Sequence, residues 1–247
     1  MINNLRFFEI PIIQNFTVNS FSDVWVNESP SIINCITSYS FYCFSKNLKY
    51  RKAILYSYNI PDGMSICWIS HIIGFGSLKR FTAFDLLITI LKDCVNLNYN
   101  RVSFIGSSPK VLSKIRSRIL IEYSCIECLC ISPPFQNDFT KDDAKPIINK
   151  ISQFDPHVIF VGLSAPKQEI FTQAHLVGLK GVSLICNIGA AFEFFAGTEI
   201  RAPKSLQAIG LEGLFRTLQN PRKHLLKDIR SFYHLFYRVI NHYKSHP

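Results

Sequence analysis

The sequence predicts an α/β fold, a largely parallel sheet flanked by helices, continued by a basic amphipathic helical appendage at the C-terminus. Three observations predict it. Apolar runs of strand length alternate with helix-length periodic segments across residues 32–187. The strand-like runs are apolar throughout, the mark of strands covered on both faces by crossover helices. From residue 201 onward the alternation gives way to helical periodicity, with nine bases against two acids.

The elements follow in order. Residues 32–37 read as a strand, and a helix runs on to about Lys49. After the Asp62-Gly63 turn a helix spans 64–73, and 84–97 has apolar residues at helical spacing. Residues 101–106 (RVSFIG) form a strand ending in glycine. A basic helix covers 109–120, a strand lies within 121–131, and a helix covers 142–154. The clearest buried strand is 157–162 (HVIFVG), and 182–187 (VSLICN) is another. In the tail, Leu225, Ile229, Phe232, Phe236, Val239, Ile240 and Tyr243 fall on one helical face. Lys227, Arg230, His234 and Arg238 fall on another. Such a helix either docks on the domain or lies in a membrane interface.

With 247 residues, 48% of them hydrophobic, the chain suits one globular unit: a core over 1–200 and an appendage over 201–247. The formal charge of +10 is concentrated in that appendage, which implies an anionic partner or a solvated basic face. Residues 1–8 lack the apolar run of a signal peptide. Residues 53–78 hold Asp62 as their only acid or base, but Asn59, Pro61, Asp62 and Gly63 interrupt them. They read as buried core around a functional turn, not a membrane span. The eight cysteines lie mostly in apolar runs and read as reduced thiols. Cys125, Cys128 and Cys130 lack a second ligand pair at zinc spacing, so no metal is expected.

In parallel α/β sheets ligands bind beyond the carboxyl ends of the strands. The residues just after each strand therefore matter most: Gly106-Ser107-Ser108, Gly162 to Glu169, and Gly189-Ala190-Ala191. Three constellations stand out, two of them at such strand ends and one, around Asp62, at a turn in an otherwise apolar region. Residues 162–169 (GLSAPKQE) follow a strand; Ser164 suits a helix cap and Pro166 a first helical turn. This is either a phosphate-binding helix start, with Lys167, Gln168 and Glu169 contributing, or a plain strand–turn–helix. Asp62, in Pro61-Asp62-Gly63, is either a general base or an ordinary turn residue. The small residues at 187–197 (NIGAAFEFFAG) permit close approach of a ligand or tight helix–sheet packing.

Taken together, these blocks resemble the WecG/TagA/CpsF glycosyltransferases across about residues 30–230. GLSAPKQE is similar to that family's G-x-G-x-P-K-Q-E block. Residues 187–223 (NIGAAFEFFAGTEIRAPKSLQAIGLEGLFRTLQNPRK) resemble its long C-terminal block, and 61–63 and 78–85 (LKRFTAFD) its A-D-G and E-R-V-x-G-x-D-L elements. The resemblance implies a Rossmann-like fold of the GT-E kind and an inverting transferase with no cofactor and no bound metal. It implies a UDP-sugar donor, commonly N-acetylmannosamine or its uronic acid, and a polyprenyl-diphosphate-linked saccharide acceptor. It implies Asp62 as general base. Arg80 and Gln168 then contact donor diphosphate or sugar, with Thr37, Asp85, Gly162, Lys167, Glu169 and Arg201 as further binding residues. Arg216 and Arg222 would steady the leaving diphosphate from an element that closes over the site. Arg222, Lys223, Lys227, Arg230, Arg238 and Lys244 would hold the protein against an anionic membrane surface. That reading makes the protein cytoplasmic, peripheral to the inner face of the plasma membrane, and open to homo-oligomer formation.

The sequence departs from the pattern at Thr37, where a T-x-N motif is usual, and at Ser205 and Gly213, where tryptophan is usual. Other classes fit less well. A dehydrogenase needs a G-x-G-x-x-G after an early strand, and none is present. A nucleic-acid binder needs aromatics interleaved with bases on a groove, whereas Phe232, Phe236 and Tyr243 follow a helical apolar face. Retention of Asp62, Arg80 and Gln168 argues against a degenerate member that binds a nucleotide sugar without turnover.

Overall fold

The computed structural model describes residues 4–14, 16, 29–136 and 138–245. The side chains of Lys223, Tyr243 and Lys244, assigned above to the faces of the tail, lie outside the described residues. A hairpin of β1 (Asn4–Phe7) and β2 (Ile10–Ile13) opens the chain. Then come β3 (Ser31–Ile36), α1 (Ser38–Lys46), α2 (Leu48–Leu55), β4 (Tyr58–Pro61), α3 (Met64–Ile72) and α4 (Ala83–Asn96). They are followed by β5 (Arg101–Gly106), α5 (Pro109–Glu122), β6 (Glu127–Ile131), α6 (Lys141–Phe154) and β7 (Val158–Gly162). Next are α7 (Lys167–Phe171), a π-helical turn (Thr172–Leu176), β8 (Leu184–Asn187) and α8 (Ala191–Phe195). The chain ends with α9 (Lys204–Ala208), α10 (Glu212–Gln219) and α11 (Pro221–Ser245).

Six strands form one sheet in the order β4-β3-β8-β7-β5-β6, every pair parallel. This is the predicted α/β, Rossmann-like architecture. Pleating sends alternate residues to opposite faces. Phe104 and Phe160 pack with α4, α5 and α8, whereas Ile105, Ile159 and Val161 pack with α6 and Phe171. Each fully buried Ile or Phe contributes about 1.5–3 kcal/mol. A third cluster, around Phe7, Phe41, Tyr50 and Ile66, joins the hairpin, α1, α2 and α3 beside the β4 edge.

One row across the sheet is polar. Asn34 on β3 stands opposite Asn59 on β4 and Asn187 on β8. Asn187 Nδ2 donates to Asn34 Oδ1 (2.7 Å), and Asn34 Nδ2 donates to Asn59 Oδ1 (3.1 Å). Thr172 donates to Asn187 Oδ1 at 2.8 Å, and Asn59 Nδ2 reaches the Pro11 and Ile54 carbonyls. All four side chains are buried and joined in one chain of hydrogen bonds.

Three expectations need correction. Residues 53–78 are not uniformly core: α3 sits at a rim and leaves Trp68 and Ile72 45% and 68% exposed. Ser164 does not cap a helix with its side chain; it adopts φ +66° and its carbonyl accepts from Gln168 N, while Pro166 precedes α7. The faces of α11 are also used the other way round. Its polar stripe docks: His224, Ser231 and Leu235 are buried, Lys227 lies over the Tyr39 ring, His234 meets Tyr42, and Arg238 donates to the Phe8 carbonyl. The apolar stripe of Leu225, Ile229, Phe232 and Phe236 is left exposed. Aromatic rings on α1 and the hairpin offer π faces and carbonyls that suit cations, which decides the orientation.

Gly162 has a packing reason. A Cβ there would lie 2.7 Å from the Phe192 ring, and Gly106 (φ +118°) abuts the Gly162 carbonyl. Gly162→Ala is expected to destabilise by about 1–3 kcal/mol through overpacking. A urea midpoint equal to wild type would show that Phe192 yields freely.

Candidate active site

A cavity of about 1040 Å³ opens beyond the carboxyl ends of β3, β4, β7 and β8. Its floor is made by the residues that follow those strands: Thr37, Asp62, Ser164 and Asn187 to Gly189. Its walls are α3, α10 and α11. Its polar lining includes Asp62, Arg80, Gln168, Arg201, Glu212 and Arg216. Its apolar lining includes Trp68, Ile72, Ile229, Phe232 and Phe236. Such a volume holds a nucleotide-sized ligand with room for a second group.

Asp62 follows β4 directly. Its N–H donates to the Ile36 carbonyl (2.9 Å), and its own carbonyl accepts from Arg80 Nε (2.7 Å). Its carboxyl is pushed up to about 6, chiefly by burial and further by the Glu212 charge; Arg80 and the Ala83 N–H oppose this. A carboxyl so placed is ionised near neutrality yet retains basicity.

Glu212 joins two of the lining arginines. Arg80 Nη2 donates to its Oε2, and Arg201 Nε donates to its Oε1 at 3.0 Å. The remaining Arg201 donors reach Asp85 Oδ1 (3.3 Å) and Thr82 Oγ1 (3.1 Å), with the guanidinium over Phe84. Thr82 caps α4, accepting from Asp85 N and donating to Asp85 Oδ2. Arg216 lies near Glu199 (3.6 Å) and over Phe194.

Gln168 is buried, and its Nε2 donates to Glu169 Oε1 at 2.9 Å. Its Oε1 has no hydrogen-bond partner and faces Gly189, where the backbone has φ +51°. Glu169 is raised to about 7 by burial, with Gln168 and Lys227 pulling the other way. Lys227 is lowered by burial and by Arg216.

Of the residues singled out in the sequence, the structure gathers Thr37, Asp62, Arg80, Gln168, Arg201 and Arg216 around one cavity. Asp85 and Glu169 stand behind it, bonded to Arg201 and Gln168 respectively. Gly162, Lys167 and Arg222 are not brought to it. Gly162 lies under Phe192; Lys167 turns away to the Gln136 carbonyl and the Phe135 ring; Arg222 is exposed on α11. Arg80 and Arg201, expected as substrate contacts, are already engaged by Glu212. Sequence reasoning missed Glu212 and Trp68, and gave Lys227 a membrane role and the 187–197 segment only a backbone one, without the Lys227 and Asn187 side chains in the cavity lining. Glu212 had a signal: it is the one acid between residues 201 and 227, amid bases.

Fold and cavity define a class, a parallel α/β protein with an enzyme-like cleft at the carboxyl ends of its strands. The chain belongs to the glycosyl transferase WecG/TagA/CpsF family, whose model matches residues 6–246. A Bacillus spizizenii protein named N-acetylglucosaminyldiphosphoundecaprenol N-acetyl-beta-D-mannosaminyltransferase is 28% identical over 164 residues, covering 66% of this chain and 61% of that protein. A Staphylococcus aureus (strain MW2) protein of the same name is 25% identical over 220 residues, covering 89% and 79%. Another, from S. aureus strain NCTC 8325, is 24% identical over 218 residues, covering 88% and 78%. The chain thus spans less than two thirds of the Bacillus relative's length. Among the described residues, no helix is long and apolar enough to cross a membrane.

Proposed function

We propose that this glycosyltransferase moves an N-acetylmannosamine-type sugar, or its uronic acid, from a UDP donor to a polyprenyl-diphosphate-linked saccharide, inverting the anomeric centre. The observation that carries the reading is Asp62, a carboxyl at about 6 in a cavity lined by both charged and large apolar side chains. The names of the relatives support the acceptor and the N-acetylmannosamine-type sugar; the UDP carrier is part of the proposal.

In this reading Asp62 takes the proton of the acceptor hydroxyl. The freed oxygen forms a bond to the anomeric carbon from the face opposite the diphosphate. The carbon–oxygen bond to phosphate breaks, and UDP leaves with the electron pair. Arg216 and Lys227, both on the cavity wall, oppose the charge growing on the leaving group. Gln168 Oε1 accepts from a sugar hydroxyl or amide N–H. The reading needs no bound metal.

The apolar lining, Trp68, Ile72, Ile229, Phe232 and Phe236, suits the isoprenoid stem of the acceptor. Exposure of Phe232, Phe236 and Ile229 beside the exposed bases Arg222 and Arg230 supports peripheral contact with an anionic membrane, on its cytoplasmic face. Each such base adds about 1 kcal/mol near the surface. Lys227 and Arg238 belong to the docked stripe and take no part in that attraction.

The test is release of UDP from a panel of UDP-sugars, with short- and long-chain polyprenyl-diphosphate-GlcNAc acceptors. Acceptor-dependent release is expected with a mannosamine-type donor. Trp68→Ala is expected to raise KM for the long-chain acceptor roughly tenfold while sparing the short one. Donor binding by folded protein without release from any donor favours the alternative, a nucleotide-sugar binder that does not turn over.

A further inference from the structure

We infer that Glu212, on the C-terminal α10, is a positioning residue for the base: through Arg80 it holds the turn that carries Asp62. The inference rests on the glycosyl-transfer reading above. It changes what Arg80 does, from a donor contact to a strut between the C-terminal segment and the catalytic turn.

The geometry is a short chain of bonds. Arg80 Nε donates to the Asp62 carbonyl at 2.7 Å, and the same guanidinium donates through Nη2 to Glu212. A guanidinium is planar and its donors are fixed relative to one another, so it cannot tilt at one end without breaking the other. Glu212 itself is anchored. Its second oxygen accepts from Arg201, whose other nitrogens are bonded to Asp85 and Thr82 at the start of α4. Arg80 and Glu212 side chains are only 18% and 14% exposed, so water screens the pair weakly.

The Asp62 turn has four backbone ties: Asp62 N and Gly63 N to the Ile36 carbonyl, Phe81 N to the Pro61 carbonyl, and Arg80 to the Asp62 carbonyl. The first three belong to the sheet and its own loop. Only the fourth depends on α10. Docking of the C-terminal segment therefore adds to a turn already tied to the sheet and, through its carboxyl, to the Ala83 N–H, and a chain with α10 displaced keeps its sheet while losing the strut that fixes the Asp62 carbonyl.

Glu212 also acts through charge. The groups facing Asp62 are Arg80, Glu212, Asp85 and the thiols Cys35 and Cys67. Glu212 raises the Asp62 pKa and Arg80 lowers it. Glu212→Gln removes the first influence and releases Arg80 toward the carboxylate, so both changes weaken the base.

The experiment compares wild type with E212Q, E212D and R80Q by acceptor-dependent UDP release, and titrates the Asp62 carboxyl by carbon-13 NMR, with D62N identifying its signal. E212Q is expected to lower kcat about 10- to 100-fold with donor KM within about twofold of wild type. Its Asp62 midpoint falls below the wild-type value of about 6. E212D keeps the charge but shortens the reach, so kcat falls while the midpoint stays near wild type. The E212Q/R80Q double variant is expected to be no slower than R80Q alone. Wild-type kcat in both Glu212 variants, an unmoved midpoint in E212Q, or a loss carried by donor KM overturns the inference. If E212Q does not fold, E212D decides the matter: wild-type kcat there is fatal to it. The NMR titration needs no turnover, so an inactive wild type would sink the glycosyl-transfer reading while leaving the Glu212–Asp62 coupling separately judged.

Discussion

Replacing Asp62 by Asn is expected to lower kcat by about 10²–10⁴-fold, the usual contribution of a positioned base, with donor KM nearly unchanged. The amide keeps the shape of the side chain and the backbone bonds to Ile36 and Arg80. It loses only the ability to take a proton. In wild type, kcat/KM should rise with pH through about 6 and level off above it, because the ionised form is the active one. In the variant that acid limb should vanish from the residual rate. The same residue should change stability in the opposite sense. Its folded pKa is raised above 3.8, so the folded state holds its proton more tightly than the unfolded state does. Stability from this group is present below about 4 and is lost as pH rises to about 6. D62N escapes that loss and should melt no lower than wild type at pH 7. A variant that keeps wild-type kcat would remove Asp62 from the chemistry altogether.

Asn34→Leu should be the most damaging single change to stability outside the apolar core, at roughly 2–5 kcal/mol by urea denaturation. Leucine has the branched skeleton of asparagine and is larger, so no cavity opens and some crowding adds to the cost. Most of the loss comes from the partners. Asn187 Nδ2 loses its acceptor and Asn59 Oδ1 loses its donor, both at sites with essentially no solvent. Each buried polar group left unpaired costs about 1–3 kcal/mol. Asn187 also lines the cavity, so the damage should reach donor binding. A loss under about 1 kcal/mol would mean that the row repacks or admits water.

Much of this fold was legible because its strands are continuous apolar runs. RVSFIG became β5 without a residue's error, and HVIFVG became β7 less its first residue. What escaped notice has physical reasons. Strand β4 is four residues long and ends in Pro61; it survives because it lies at the sheet edge, where proline is tolerated. The hairpin of β1 and β2 is held by Asn59 and by aromatic packing with Phe41, contacts that local periodicity does not report. The site was legible where a charge interrupts an apolar stretch, as Asp62 does within residues 53–78. It was illegible where the partner is remote: Arg80 and Glu212 are 132 residues apart. Lys167 shows the converse limit. It sits in the most suggestive block of the sequence, yet its side chain serves the loop at Gln136. The tail misled for a different reason. Periodicity finds two stripes on α11 but says nothing of which one meets the domain, and here the aromatic rings of Tyr39, Tyr42 and Phe8 claimed the charged one.

That inverted docking bears on any attempt to shorten the chain for easier handling. Cutting before Pro221 would discard the exposed stripe of Phe232 and Phe236 but uncover Tyr39 and Tyr42 on α1 and the Phe8 turn, trading one oily surface for another. It would also take Lys227 from Glu169, leaving that carboxyl with one less influence holding it ionised. A shortened chain is thus a chemically different molecule just behind its cavity, where Glu169 holds Gln168, and its behaviour in a tube is a poor guide to the longer one.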